Sequence, residues 1–266
     1  MRIVTLVAPA LALLGCRPSA ASRPLRLGTT TTVLQSGMLA LAESLWTGAP
    51  LAPVIGPSGQ ILHAAAQGDL DVALTHAPAL EAKLLAGATG LIRCPFVTSR
   101  FAIVGPANDP AQVATAVTAA RAMERIAGRS ARFVSRGDSS GTHERELALW
   151  RAAGIEPHGR TWYIESGADQ TTTLRIADER QGYALADLPT FARVPGLALH
   201  RLFDADTILV NRYTLYRFPD PTSHPAAPQF LTWALDTWRA RVLALHLPDG
   251  TPAFEPPAGG EPCTTS

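Results

Sequence analysis

Phe133-Val134-Ser135-Arg136-Gly137-Asp138-Ser139-Ser140-Gly141-Thr142-His143 is the stretch from which the fold is read. Arg132 to Ser135 has strand character. The Gly, Asp and Ser residues that follow form a turn, and Thr142 to Ala153 is helical. Leu147 and Trp150 share a face of that helix, Glu144 and Glu146 lie in its positive first turn, and Gly154 stops it. A strand that turns through Ser and Gly into a helix presents free backbone N–H groups and hydroxyls at the helix N-terminus, a natural cradle for an anion. Arg136 adds a charge able to hold two oxygens, and Asp138 stands close enough in sequence to pair with it.

The same design occurs twice more: strand Leu25 to Gly28 into Thr29-Thr30-Thr31-Thr32 and Ser36-Gly37, and strand Pro53 to Ile55 into Gly56-Pro57-Ser58-Gly59. One such turn is ordinary helix capping; three in one chain, one carrying Arg, point to a shared binding site. Further strands are expected at Asp71 to Thr75, Phe101 to Val104, Trp162 to Glu165, Tyr183 to Ala186, Ile208 to Val210 and Tyr213 to Tyr216. Helices are expected at Met38 to Leu45, Ser58 to Gly68 with Leu62 and Ala66 inward, Glu81 to Ala86, Ala111 to Gly128, Asp169 to Arg180 and Gln229 to Leu247. Alternating strands and helices give an α/β fold. The order suggests two lobes, residues 25–104 plus 204–247 and an inserted 105–203, followed by a flexible tail over 248–266.

The chain has 266 residues, 47% hydrophobic and 17% charged, with a formal net charge of +1. That composition excludes general disorder, and a neutral chain has no global field for nucleic acid. Lys83 is the only lysine, so the cationic chemistry is that of Arg. Ile3 to Leu14 is apolar but short for a membrane span and ends in Leu13-Leu14-Gly15-Cys16. This resembles a lipobox. It implies a signal peptide over 1–16, a lipidated Cys16, a linker over 17–24 and membrane attachment through the lipid alone. Cys94 and Cys263 lack metal-ligand spacing; they form either one disulfide or two free thiols.

Gly137-Asp138-Ser139-Ser140-Gly141 also fits the G-x-S-x-G nucleophile elbow. A serine hydrolase would need His200 or His224, oriented by Asp187 or Asp204. It would leave the threonine run and Arg136 without a role.

These motifs together resemble the substrate-binding protein of a bacterial ABC importer for tungstate, over roughly residues 25–217. The matching residues are Thr29 to Thr32 with Ser36-Gly37, Gly56 to Gln60, Thr75-His76-Ala77-Pro78, Phe133 to His143, Glu146 to Trp150 and Ala153 to Ile155. Departures include Thr32 for Ser, Leu34-Gln35 where an acidic residue is expected, Thr98-Ser99-Arg100-Phe101, Asp169-Gln170-Thr171 and Asn211-Arg212-Tyr213. The resemblance implies a two-lobe periplasmic-binding-protein-like fold, each lobe a mixed sheet flanked by helices, with the ligand in the cleft. It implies tungstate or molybdate as ligand, held as an oxyanion by Thr30, Thr31, Thr32, Ser58, Gly59, His76, Arg136, Ser140, Gly141 and Thr142. It further implies ABC permease and ATPase partners, a monomer, a periplasmic or extracytoplasmic location, and neither cofactor nor enzymatic step.

The Arg136-Gly137-Asp138 turn is also similar to that of phosphate importers. Phosphate keeps a proton near neutral pH and gains from a carboxylate acceptor, whereas tungstate, molybdate and sulfate need only donors. His76 stands where the phosphate family has Asp, which argues for a proton-free anion. His76 itself either contacts the anion or holds the Ala77-Pro78 turn. Arg100 and Arg212 either add charge to the cleft or are surface groups.

Overall fold

A computed structural model describes residues 23–218 and 222–266. The signal segment, Cys16 and residues 17–22 of the linker lie outside the described residues.

The first lobe starts with β1 (Leu25–Thr30), whose Leu25 and Leu27 are buried. It leads through α1 (Thr31–Gln35) and α2 (Met38–Leu45) to β2 (Leu51–Gly56), then through α3 (Ser58–Ala66) to β3 (Val72–Thr75) and α4 (Pro78–Leu84). β1 lies between β2 and β3 and is parallel to both. The threonine run, expected as a turn, is divided between two elements: Thr29 and Thr30 end β1, and Thr31 and Thr32 open α1, which Thr30 caps by accepting from Val33 N–H. The inward face of α3 is Ile61, Leu62 and Ala65; Ala66 is exposed. The helix expected at Glu81 starts earlier, with Pro78 in its first turn.

One long strand runs through both lobes. β4 (Ile92–Pro106) runs for 15 residues, where the sequence suggested Phe101 to Val104. Its first part pairs with β9 (Val210–Arg217), and its second part pairs with β7 (Ala184–Asp187) and β8 (Leu199–Phe203). β9 is antiparallel to β3 and closes the first lobe's sheet. The two strands expected at Ile208 and Tyr213 are thus one strand, preceded by a 3₁₀ turn at Thr207–Leu209.

In the second lobe Val113–Thr115 is a 3₁₀ turn and α5 is Ala119–Gly128, capped by Thr118; the sequence suggested one helix from Ala111. β5 (Phe133–Ser135) pairs in parallel with β6 (Tyr163–Glu165) and is bridged to the start of β7 at Tyr183. α6 (Gly141–Ala152), α7 (Gln170–Glu179) and α8 (Leu188–Phe191) complete it. Separate clusters fill the lobes: Leu25, Val72, Phe96, Phe230 and Trp238 in the first, and Phe101, Phe133, Trp150 and Tyr183 in the second.

The C-terminal helix is α9 (Ala227–Trp233), a π-turn at Ala234–Trp238 and α10 (Arg239–Leu243), shorter than expected. The tail is not a loose end. Phe254 is buried against Tyr213, Glu255 exchanges backbone hydrogen bonds with Thr98, and β10 (Thr264–Thr265) pairs with the exposed edge of β4. Cys263 forms a disulfide with Cys94 across a separation of 169 residues. An unpaired sheet edge needs a partner, and the tail supplies it. No helix among the described residues is long and apolar enough to cross a membrane.

Closing so long a loop restricts the unfolded chain, so Cys263→Ser is expected to cost about 2–5 kcal/mol of unfolding free energy. Denaturant titration of oxidised parent and variant checks this.

Candidate functional site

The register of the first sheet explains how three turns become one site. Thr30 pairs with Gly56, and Thr29 with Leu74 on the other side. The starts of α1 and α3 and the residue after β3, His76, therefore lie at the carboxyl edge of one sheet, where ligands of α/β sheets bind. The second lobe faces this edge with the β5–α6 turn. Arg136 Nη2 donates to Thr31 Oγ1 (3.1 Å), Nη1 donates to Thr32 Oγ1 (3.4 Å), and Gly59 N–H donates to Ser139 O (3.4 Å). Thr31, Thr32, Gly59 and Arg136 thus meet across the lobes.

Arg136 is 1% exposed and forms an ion pair with Asp138 (Nη2 to Oδ2, 2.5 Å). The other Asp138 oxygen accepts from Ser140 N–H, and Gly137 adopts φ +62, which glycine makes easy. Several buried donors in this zone have no acceptor within the protein. Arg136 Nε and Ser58 Oγ have no partner at all. Thr30 and Ser140 oxygens accept from Val33 N–H and His143 N–H as helix caps, which leaves their own O–H groups to donate. Gly141 and Thr142 open α6 ahead of its first backbone bond, Glu144 N–H to Ser140 O. Thr142 Oγ1 donates to Gln170 Oε1 at 3.4 Å. Buried donors are normally satisfied, and this zone concentrates donors that the protein itself leaves unspent.

Gly141 makes the closest approach. A Cβ there would lie 2.5 Å from the His76 carbonyl oxygen and 2.6 Å from its Nδ1.

His76 is 2% exposed, and burial first, then the Arg136 charge, push its pKa down to about 3. The ring is neutral. Asn211 donates from Nδ2 to Asp187 and to Tyr213 Oη, so its Oδ1 faces His76 Nδ1 at 3.1 Å and accepts the ring proton. That leaves Nε2 as a buried lone pair without a partner. The Ala77-Pro78 turn is held instead by Glu81, which accepts from Ala77 N–H, Thr75 Oγ1 and Tyr216 Oη. Asp187 also accepts from the Ser99 hydroxyl, and burial raises its pKa. This network of Ser99, Asp187, Asn211, Tyr213 and His76 sits where β4 and β9 pass between lobes. The sequence had flagged Asn211 only as a departure and Asp187 only for a hydrolase.

Arg100 does not enter the cleft: it donates to the carbonyls of Asp204 and Asp206. Arg212 is exposed. The hydrolase parts do not assemble. Ser139 has φ +58, but His143 Nδ1 accepts from its backbone N–H. His224 lies in the first lobe bound to Arg23 O and Ala226 N–H, His200 is exposed, and Asp187 serves the crossing network.

The profile of the PBP superfamily domain matches residues 17–237. The tungstate-binding protein TupA of Peptoclostridium acidaminophilum is 34% identical over 244 residues, 87% of this chain and 85% of its own. The crystal structure of the tungstate ABC transporter from Geobacter sulfurreducens superposes with a TM-score of 0.71 at 35% identity, covering 81% of this chain and 95% of that one. The tungstate binding protein TupA from Desulfovibrio alaskensis G20 gives 0.70 at 31% identity, covering 89% and 100%.

Gly141→Ala places a methyl between the lobes. It is expected to weaken oxyanion binding at least about fivefold through overpacking, with little change in the unfolding midpoint, since the collision is with the other lobe. Calorimetric titration and thermal unfolding, run in parallel, check both parts.

Proposed function

The chain belongs to the PBP superfamily, and from that premise we propose that it captures a tetrahedral oxyanion, tungstate or molybdate, between its lobes and delivers it to an ABC permease. The observation that carries this is the set of buried donors without acceptors, Arg136 Nε and Ser58 Oγ, beside the cap hydroxyls of Thr30 and Ser140. The full ligand set of the reading is Thr30, Thr31, Thr32, Ser58, Gly59, Arg136, Ser140, Gly141 and Thr142. His76 is a neighbour that borders it and spends its N–H on Asn211.

The site supplies hydrogen bonds and one guanidinium, and an anion that fits between the lobes bridges them. Binding energy then favours the closed arrangement, which a permease can tell from the open one. The hinge of this reading is the pair of crossings in β4 and before β9, close to the divisions at 104 and 204. No bond is made or broken, so no catalytic residue is assigned. Cys16 remains the proposed point of lipid attachment, holding a monomeric protein at the extracytoplasmic face.

Two observations bear on which anion. The Asp138 oxygens are spent on Arg136 and Ser140 N–H, and Asp169 caps α7 through Thr172 N–H. Both carboxylates already accept from groups of the protein, which favours tungstate, molybdate or sulfate over phosphate. The neutral His76 ring favours the second reading, phosphate, because its buried Nε2 can accept a hydrogen bond.

Calorimetry with tungstate, molybdate, sulfate and phosphate tests this on the mature domain. Tight tungstate or molybdate binding is expected, weakened by about two orders of magnitude in Arg136→Ala, which removes charge-assisted hydrogen bonds and leaves Asp138 unpaired. Tight phosphate binding would replace the tungstate assignment with the second reading.

A further inference from the structure

Glu146 lies in the second lobe, one and a half turns into the helix that begins at the anion site. The sequence suggested a place in the positive first turn of that helix. The structure buries it, with four donors around its carboxyl. Tyr163 Oη donates to Oε1 at 2.7 Å and Trp150 Nε1 donates to the same oxygen at 3.2 Å. The Ser135 hydroxyl and the backbone N–H of Arg136 also face the carboxyl and stabilise its charged form. Ser135 Oγ in turn accepts from Gly137 N–H at 3.2 Å. Nothing in the anion reading uses this carboxyl, yet it faces the peptide group from which the Arg136 side chain springs.

We propose that Glu146 is the positioning residue of the oxyanion site: it holds the Ser135–Arg136 backbone from beneath and takes up a proton as the anion closes in above. The inference rests on the oxyanion reading of the cleft. The hold explains how a long guanidinium side chain keeps its aim at two hydroxyls of the opposite lobe. The proton follows from charge. The Arg136 guanidinium is already paired with Asp138, so a second buried carboxylate behind the loop adds repulsion toward a dianion. A protonated carboxyl removes that repulsion. Its O–H can donate to the Ser135 or Tyr163 hydroxyl while its carbonyl oxygen still accepts.

Burial, opposed by the hydrogen bonds from Tyr163, Ser135, Trp150 and Arg136 N–H, already pushes the Glu146 pKa up to about 7. An arriving negative charge raises it further. A group whose pKa rises on binding takes up a proton, and affinity then grows as pH falls from the raised, ligand-bound value to the ligand-free one, below which the gain is complete. The other groups around it are accounted for. Tyr163 on β6 is held neutral, its pKa raised by burial and by Glu146. His143 stands one turn earlier on α6, with its pKa lowered by burial. His158 and Glu165 lie beyond Tyr163, and the hydrogen bond to Glu156 raises the His158 pKa. α5 packs on α6 with Ala119, Ala122, Met123 and Ile126 buried, and Tyr183 and Leu185 come from the β7 side.

The test is calorimetric titration of the parent with sodium tungstate in buffers of different ionisation enthalpy, from about pH 8.5 to about pH 6.5. Proton uptake of about half a proton per anion at pH 7, larger toward pH 8, is expected, with affinity rising about tenfold over that range. Glu146→Gln, uncharged and with one donor and one acceptor like the protonated carboxyl, loses the uptake and binds tungstate with an affinity that no longer depends on pH over this range. His158→Gln keeps the uptake. A parent that binds tungstate with no proton uptake, or a Glu146→Gln variant that keeps it, overturns the inference, and the first needs no variant to fold. A parent that binds none of the four oxyanions overturns the oxyanion reading itself, a distinguishable failure.

Discussion

A guanidinium with 1% exposure is the constraint around which this molecule is arranged. A charge buried without partners is costly, and Arg136 meets that cost with groups from two directions. Asp138 comes from its own turn, while Thr31 and Thr32 come from the opposite lobe. Satisfying the charge and bringing the lobes together are therefore one event. The arrangement also leaves Nε and neighbouring hydroxyls with hydrogen bonds still to give. An oxyanion that accepts them completes a set of interactions that the chain alone leaves short.

The parts of this design that were legible in the sequence are local ones. The turn from Ser135 to Thr142 carries its own caps, its own glycines and its own ion pair, so Arg136 and Asp138 could be paired before any tertiary contact was known. The parallel arrangement of the first two turns followed from the alternation of strands and helices. The illegible parts depend on contacts distant in the chain. β4 runs on through Thr98-Ser99-Arg100 because β9 and β7 offer pairing to both of its ends. The tail is ordered because Cys263 and β10 find the free edge of β4, and Pro and Gly content does not register that. Glu146 was placed by helical counting in a polar first turn, whereas its four donors come partly from β5 and β6.

His76 shows how a residue type can be read correctly in place and still change its chemistry on folding. Its position after β3 is where the sequence put it, at the rim of the cleft. Its hydrogen-bonding role is set by Asn211, whose amide is oriented in turn by Asp187. Burial keeps the ring neutral. The network that fixes it lies on the crossing strands, so the same side chains that border the site also link those strands to one another.

The central claim is that the unspent donors of both lobes converge on one oxyanion. Crystals of the mature domain grown with tungstate, with diffraction recorded on either side of a tungsten absorption edge, test it most directly. The account predicts a single strong anomalous peak between Arg136 and Ser58, within hydrogen-bonding reach, through the oxyanion's oxygens, of the Thr30 and Ser140 hydroxyls. A fully occupied peak elsewhere, or a closed cleft without one under saturating tungstate, would contradict it.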